Sequence, residues 1–249
     1  MLPPGTIAIW RLGPAALEPL HTLPAASLAA AQSVLSAEEQ RRASAFHAEE
    51  HRREYIAAHA ALRIVLARHT GLAPQSVPLV AENGAKPALV PAANPSDLRF
   101  NLSHTRLGIL IAVSTGIEIG VDLEWHRPID DLEAMAQAVM SPAELQAWNA
   151  LAPQPRVHAF YNLWTRKEAY LKAIGLGLFR DLRAVSVPAT PEFLAAPTSV
   201  EDRSEPQSPW SLLDLPVWDG FSAALCWQGS SDPRLTIHDL GLIRILTPA

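Results

Sequence analysis

A chain of 249 residues, 49% of them apolar, is long enough to bury one large core or two small ones and too hydrophobic to stay disordered. Its formal charge of −5 gives no electrostatic footprint for nucleic acid, so any anionic ligand must be met by a local group of cations. The one cysteine, Cys226, excludes an internal disulfide framework and a cysteine-built zinc site and fits a reducing compartment, the cytoplasm by default. Met1 to Trp10 lack the charged and apolar regions of a signal peptide. No run approaches the roughly 18 apolar residues of a membrane span, so no membrane association is expected.

Taken in chain order, Thr6 to Trp10 reads as an opening strand closed by Gly13-Pro14. Ser36-Ala-Glu-Glu39 has the spacing of a capping box and opens a helical region. Tyr55, His59, Leu62 and Leu66 then recur at helical spacing, and Gly71 is a stop. Arg41, Arg42, Arg52, Arg53, Arg63 and Arg68 crowd this segment and read as a solvated helix face. Leu98 to Leu102 and Leu107 to Ser114 are neighbouring strands joined by a Ser-His-Thr-Arg turn. In the next strand, Ile117 to Glu124, Ile117, Ile119, Val121 and Leu123 point one way and Glu118, Gly120, Asp122 and Glu124 the other.

Ser141-Pro-Ala-Glu144 is a second capping box, with proline at the first helical position. A longer helix runs from about Arg156 to Ile174 and stops at Gly175. Ala184 to Val187, Trp210 to Leu213, Phe221 to Trp227 and Leu235 to Ile237 read as strands, and Pro188 to Pro209 as an exposed loop. No internal repeat is visible in the residues. The alternation of strands and helices predicts an α/β or α+β fold of two subdomains, 1–116 and 117–249.

Asp122 and Glu124, two apart on a strand, present both carboxylates on one side, a costly arrangement unless a cation lies between them. A hard metal such as magnesium, with manganese as a substitute, meets that need; an ordinary solvated face is the competing reading. On the long helix Tyr161, Thr165, Glu168 and Lys172 form a stripe, with Lys167 beside it, which is equally what a surface helix carries. Ser103 and His104 offer anion contacts or merely a turn, and Lys86, between Gly84 and Pro87, a phosphate contact or a loop lysine.

The ordered series Gly84-Ala-Lys-Pro87, Arg99-Phe-Asn-Leu-Ser-His104, Ile119-Gly-Val-Asp-Leu-Glu124 and Trp164-Thr-Arg-Lys-Glu-Ala-Tyr-Leu-Lys172 closely resembles the Sfp-type 4′-phosphopantetheinyl transferases. The last two blocks match that family's signature, with the expected interval of about forty residues between them.

The resemblance implies a monomer of two similar, pseudo-twofold subdomains, each a small sheet packed on a long helix, with coenzyme A bound between them. Transfer of 4′-phosphopantetheine to a serine of an apo acyl or peptidyl carrier protein is the implied reaction. Asp122, Glu124 and Glu168 are then the magnesium ligands, and Glu168 is the candidate base, acting directly or through a metal-bound water. Lys172 is placed to stabilise the leaving adenosine 3′,5′-bisphosphate, and Lys167 adds to its field. Arg53, Gly84, Lys86, Ser103 and His104 match positions that hold coenzyme A, with the alignment leaving Arg52 as a substitute for Arg53. Gly-Ala-Lys-Pro departs from the family's Gly-Lys-Pro, which puts the Gly84 contact in question. The carrier is expected to dock on a surface that includes His126 to Met140, steered by Arg127, with core packing the commoner use for most of Ile129, Leu132, Met135 and Met140. The competing functions are a magnesium-dependent phosphohydrolase and a non-catalytic coenzyme A-binding subunit. The carrier, the pathway and the tolerance for acylated coenzyme A are left open.

Overall fold

The computed structural model describes residues 2–13, 24–80, 86–175, 181–202, 209–230 and 232–240. They divide into two units, one drawn from 1–81, 87–116 and 234–249, the other from 82–86 and 117–233. Both mix helices with small sheets in an α+β arrangement. No helix among the described residues is long and apolar enough to cross a membrane.

In the first unit, β1 (Thr6–Leu12) lies between β12 (Arg234–Asp239), with which it runs parallel, and β5 (Gly108–Thr115), which is antiparallel to it. β4 (Leu98–Thr105) completes the four-stranded sheet beside β5. The division by sequence had left residues 234–249 with the second subdomain, but the backbone pairing of Thr6 with Arg234 through Arg11 with Asp239 carries β12 to the first. Ser103 and His104 are not in a turn: β4 continues through Thr105, and a two-residue loop, Arg106-Leu107, makes the hairpin.

The helical region is three helices, α1 (Ala25–Ser33), α2 (Ala37–Ser44) and α3 (Glu49–Thr70). Leu62, Val65 and Leu66 of α3 pack on Ala8, Phe100, Ile109 and Val113 of the sheet, while Ile56 and Ala60 meet Leu28 and Ala31 of α1. Arg41, Arg42 and Arg68 are exposed, as a solvated face requires, and Arg52 and Arg53 are half-buried, but Arg63 is only 2% exposed and departs from that reading. β2 (Leu79–Val80) and β3 (Ala88–Leu89) form a small separate ribbon.

The second unit is built on β6 (Ile119–Trp125), followed by α4 (Leu132–Val139), α5 (Pro142–Asn149) and α6 (Pro153–Ile174). Of the apolar residues of the 126–140 segment, Met140 is buried, Ile129 and Leu132 pack against the core, and Met135 is exposed. Beyond α6 come β7 (Val185–Ser186), β8 (Thr198–Ser199), β9 (Glu201–Asp202), β10 (Trp210–Asp214) and β11 (Phe221–Gln228). The sheet order is β6-β11-β10-β8, so the stretch expected as loop contributes an edge strand. Phe160, Leu163, Tyr170 and Ala173 of α6 join Leu212, Ala224 and Cys226 in the core.

The units repeat one device that the residues alone do not display. Each has a capping-box helix, from Ser36 or Ser141, whose box glutamate also reaches a long helix. Each long helix has 22 residues and ends on a glycine in the left-handed region, Gly71 at φ 73° and Gly175 at φ 76°. Glu39 pairs with Arg63 and Glu144 with Lys167, and both cations hold the fifteenth position of their helix. Both also donate to backbone carbonyls, Arg63 to Pro74 and Val77, Lys167 to Val139 and Leu182. Such pairs fix the register of one helix on another and are costly to break singly.

Burial raises the Glu39 pKa, but hydrogen bonds from His59, Arg63 and the Ser36 backbone, with the charge of Arg63, outweigh it and hold the group at about 2. Because the folded value lies below the ordinary 4.5, this stabilisation is complete above about pH 4.5 and is lost as pH falls towards 2. Glu39→Gln is expected to forfeit up to about 3 kcal/mol at neutral pH. Its stability, followed by urea denaturation, should fall less steeply than the parent's between pH 5 and 3.

Candidate active site

Period two on β6 sets Gly120, Asp122 and Glu124 on the face that α6 covers. The approach is close because Gly120 has no side chain: a Cβ there would stand 2.1 Å from the Ala169 carbonyl and 2.3 Å from the Ala173 nitrogen. The helix neighbours of those two residues, Glu168 and Lys172, are thereby brought against the strand. Lys172 Nζ donates to Asp122 Oδ1 at 2.6 Å. Burial and then the Asp122 charge push the Glu168 carboxyl up to about 7 against the pull of Lys172, and its Oε1 is buried with no hydrogen-bond partner. The same two causes raise Glu124 to about 7, against a hydrogen bond from Trp164 and the charges of Lys172 and Arg127. Among the described residues no three acidic, imidazole or thiol groups are arranged to hold a metal ion. What the strand and helix bring together is the Lys172–Asp122 pair, with Glu124 and Glu168 each within the field of the Asp122 charge.

Lys86 belongs to the same unit. Its Nζ donates to Ile119 O at 2.6 Å, Glu118 Oε2 at 3.2 Å and Ala173 O at 3.4 Å, tying the start of β6 to the end of α6. Gly84 lies outside the described residues. In the first unit, Arg52 and Arg53 both bond Glu49, at 2.7 and 2.9 Å. Ser103 is buried in β4 and His104 is exposed near its end.

Lys167 corrects the sequence reading. It is 1% exposed, and its three N–H donors go to Glu144 Oε2, Val139 O and Leu182 O at 2.6 to 2.8 Å. Burial lowers its pKa and Glu144 opposes that. An ammonium only 1% exposed is out of reach of a phosphate, and its role is to fasten α6 to the helices before it. Replacing it by alanine would leave Glu144 buried without its cation, an expected loss of about 3–5 kcal/mol, read from the urea midpoint.

Several polar groups beside the carboxylates escaped the sequence reading. Ser222 of β11 stands directly opposite Glu124 in the strand register. Its Oγ lies 2.6 Å from Asn162 Oδ1 and 2.8 Å from His126 Nε2. His126 stacks on Tyr161, whose hydroxyl accepts from Arg127 N and donates to Arg127 O. Burial and the charge of His158 hold the His126 pKa down at about 4. Helix α6 thus grips β6 both at Gly120 and just beyond Glu124. Only the strand register, set by long-range pairing, could have revealed it.

Residues 118–226 match the family model described as the 4′-phosphopantetheinyl transferase superfamily, and residues 24–115 match one described as 4′-phosphopantetheinyl transferase, N-terminal. The chain is 34% identical over 223 residues to the 4′-phosphopantetheinyl transferase HetI of Nostoc sp. (strain PCC 7120), covering 90% of this chain and 88% of that protein. This chain belongs to the 4′-phosphopantetheinyl transferase family. Other relatives are a phosphopantetheinyl transferase of Thraustochytrium sp., 26% identical with 98% of this chain and 88% of that one covered, and the 4′-phosphopantetheinyl transferase of Bacillus subtilis, 31% identical with 62% and 66% covered. The match to the superfamily model, from residue 118, takes in Asp122, Glu124, Glu168 and Lys172, while Arg53, Ser103 and His104 fall in the match to the N-terminal one.

Proposed function

We propose that the protein transfers 4′-phosphopantetheine from coenzyme A to a serine hydroxyl of an apo acyl or peptidyl carrier protein. Alongside the family membership, the observation that carries the mechanism is the face-to-face placement of Asp122 and Glu124 with Glu168 and Lys172. The serine oxygen attacks the phosphorus that bears the pantetheine oxygen, and the bond from that phosphorus to the bridging oxygen breaks. Adenosine 3′,5′-bisphosphate leaves with the bond's electron pair. The serine proton passes to Glu168, a carboxylate that burial and the Asp122 charge make more basic than usual in the metal-free site. Lys172, already charge-paired beside Asp122, offsets the charge that develops on the leaving group.

Asp122, Glu124 and Glu168 are the residues that would hold magnesium or manganese. Their donors are all hard oxygens, and burial followed by the Asp122 charge raises the other two carboxyls, a repulsion that a divalent cation would relieve. A bound ion would neutralise the diphosphate as its P–O bond breaks. Lys86, Arg53, Ser103 and His104 are the groups assigned to coenzyme A in this reading, and the acting species is a cytoplasmic monomer.

The test is intact-mass measurement of an apo carrier protein incubated with coenzyme A, magnesium and the protein. One added phosphopantetheine on one serine is the expected product, lost when EDTA replaces magnesium. An unchanged carrier beside an active relative as control would overturn the reading. Release of phosphate with no carrier present would favour a phosphohydrolase.

A further inference from the structure

Where β6 crosses α6, two backbones meet with no side chain between them. Gly120 lies against the Ala169 carbonyl and the Ala173 nitrogen, and a glycine offers the helix almost no apolar surface to hold it there. Two carbonyls flank the crossing. That of Ala173 lies in the last turn of α6, beyond the Leu171 carbonyl that takes the N–H of the capping Gly175, and has no partner within the helix. That of Ile119 points off the ladder to β11, because Glu118 beside it accepts from Gln228 N and an antiparallel pair turns the next carbonyl away.

Lys86 reaches both. Its side chain is 16% exposed, and its Nζ donates to Ile119 O at 2.6 Å and to Ala173 O at 3.4 Å, a longer contact that the ammonium charge strengthens. A cation is also favoured at the C-terminal end of a helix, where the carbonyl dipoles point. The pair that Lys86 makes with Glu118 at 3.2 Å adds less, since that carboxylate is 33% exposed and screened by water. Ala173 directly follows Lys172, and Gly120 precedes Asp122 on the same face of β6. The ammonium thus joins the two backbones next to the Lys172–Asp122 pair.

We propose that Lys86 is a positioning residue for the transfer: its ammonium staples the last turn of α6 to the start of β6 and so sets the spacing of Glu168 and Lys172 from Asp122. This role rests on the transferase reading and goes beyond the coenzyme A contact assigned to Lys86 there, because the staple is made by the protein alone. Without the ammonium the two carbonyls would face each other across the crossing with one donor fewer, and the helix would move off the strand to let water reach them. Glu168 and Lys172 would move with it.

Lys86→Met keeps most of the apolar stem and removes the ammonium. In urea, with no metal or ligand present, its midpoint should fall below the parent's, since no phosphate is there for a lysine to meet. With carrier protein, coenzyme A and magnesium all saturating, kcat per folded molecule should fall about tenfold or more, the scale of loss that follows a small displacement of reacting groups. A lysine that only touched the substrate would raise KM for coenzyme A and leave kcat and the midpoint alone, and that result would overturn the proposal. So would a lowered midpoint with kcat intact, which would make the staple structural and nothing more. Lys86→Gln, whose amide can still donate to a carbonyl, should lose less in both readouts. It carries the test if the methionine variant does not fold, and an unchanged kcat there overturns the role. A parent that leaves the mass of the carrier unchanged sinks the transfer reading and this role with it, whereas an active parent whose Lys86→Met protein keeps its kcat sinks the role alone.

Discussion

Glu168→Gln is expected to lower the rate of transfer to a carrier protein by about 10²–10⁴-fold, the usual contribution of a positioned proton acceptor. The amide keeps the shape of the carboxyl and cannot take the serine proton. Folding should not suffer. The Glu168 carboxyl is raised to about 7 because burial and the Asp122 charge both disfavour its ionised form, so a neutral side chain relieves a conflict. In metal-free buffer the variant should therefore melt no lower than the parent, a pattern common where activity is held against stability. Coenzyme A affinity should fall less than in Lys86→Ala, measured by calorimetry in magnesium. Equal losses in the two variants would mean that Glu168 serves chiefly to anchor the metal and ligand, with the proton going elsewhere.

Local chemistry made much of this architecture legible. Both capping boxes, both helix-ending glycines and the alternation along β6 depend on neighbours within a few residues, and each appears in the structure where its spacing puts it. The errors have long-range causes. β12 joins β1 across most of the chain, and nothing local in Arg234–Asp239 marks the partner. β8 is two residues long and exists only because β10 offers an edge. α1 starts after Pro24 with no side-chain cap, so its alanine-rich sequence carries no start signal.

The candidate site divides in the same way. Asp122, Glu124, Glu168 and Lys172 were readable because strand and helix periods put each pair on a face, although not that the faces meet. Lys167 misled because one position along a helix turns a side chain by about 100°. At that position it meets the Glu144 carboxylate in the core, whereas Glu168 meets β6. The Glu39–Arg63 pair shows that the first unit uses the same fastening, so the buried cation is a property of the repeated framework and not of the chemistry.

Gly120 is where framework and chemistry meet, and Gly120→Ala should be the most damaging single methyl group in the second unit. The added carbon would stand 2.1 Å from Ala169 O, 2.3 Å from Ala173 N and 2.9 Å from Ala173 Cα. All three are backbone atoms of α6, so no rotamer change relieves the clash and the helix as a whole must withdraw. Overpacking of this kind costs about 3 kcal/mol or more. Gly175→Ala is the control within the same unit. Its φ of 76° is a strained conformation for alanine, but the nearest atom, Lys86 Cβ, is an ordinary 3.7 Å away, so only backbone strain of about 1 kcal/mol is expected. Urea melts of the two variants should separate clearly. Withdrawal of α6 also carries Glu168 and Lys172 away from Asp122, so whatever Gly120→Ala protein remains folded should have lost transfer and the Lys172–Asp122 pair together. A variant that melts within about 1 kcal/mol of the parent and still transfers would mean that α6 does not need this contact to present its two functional side chains.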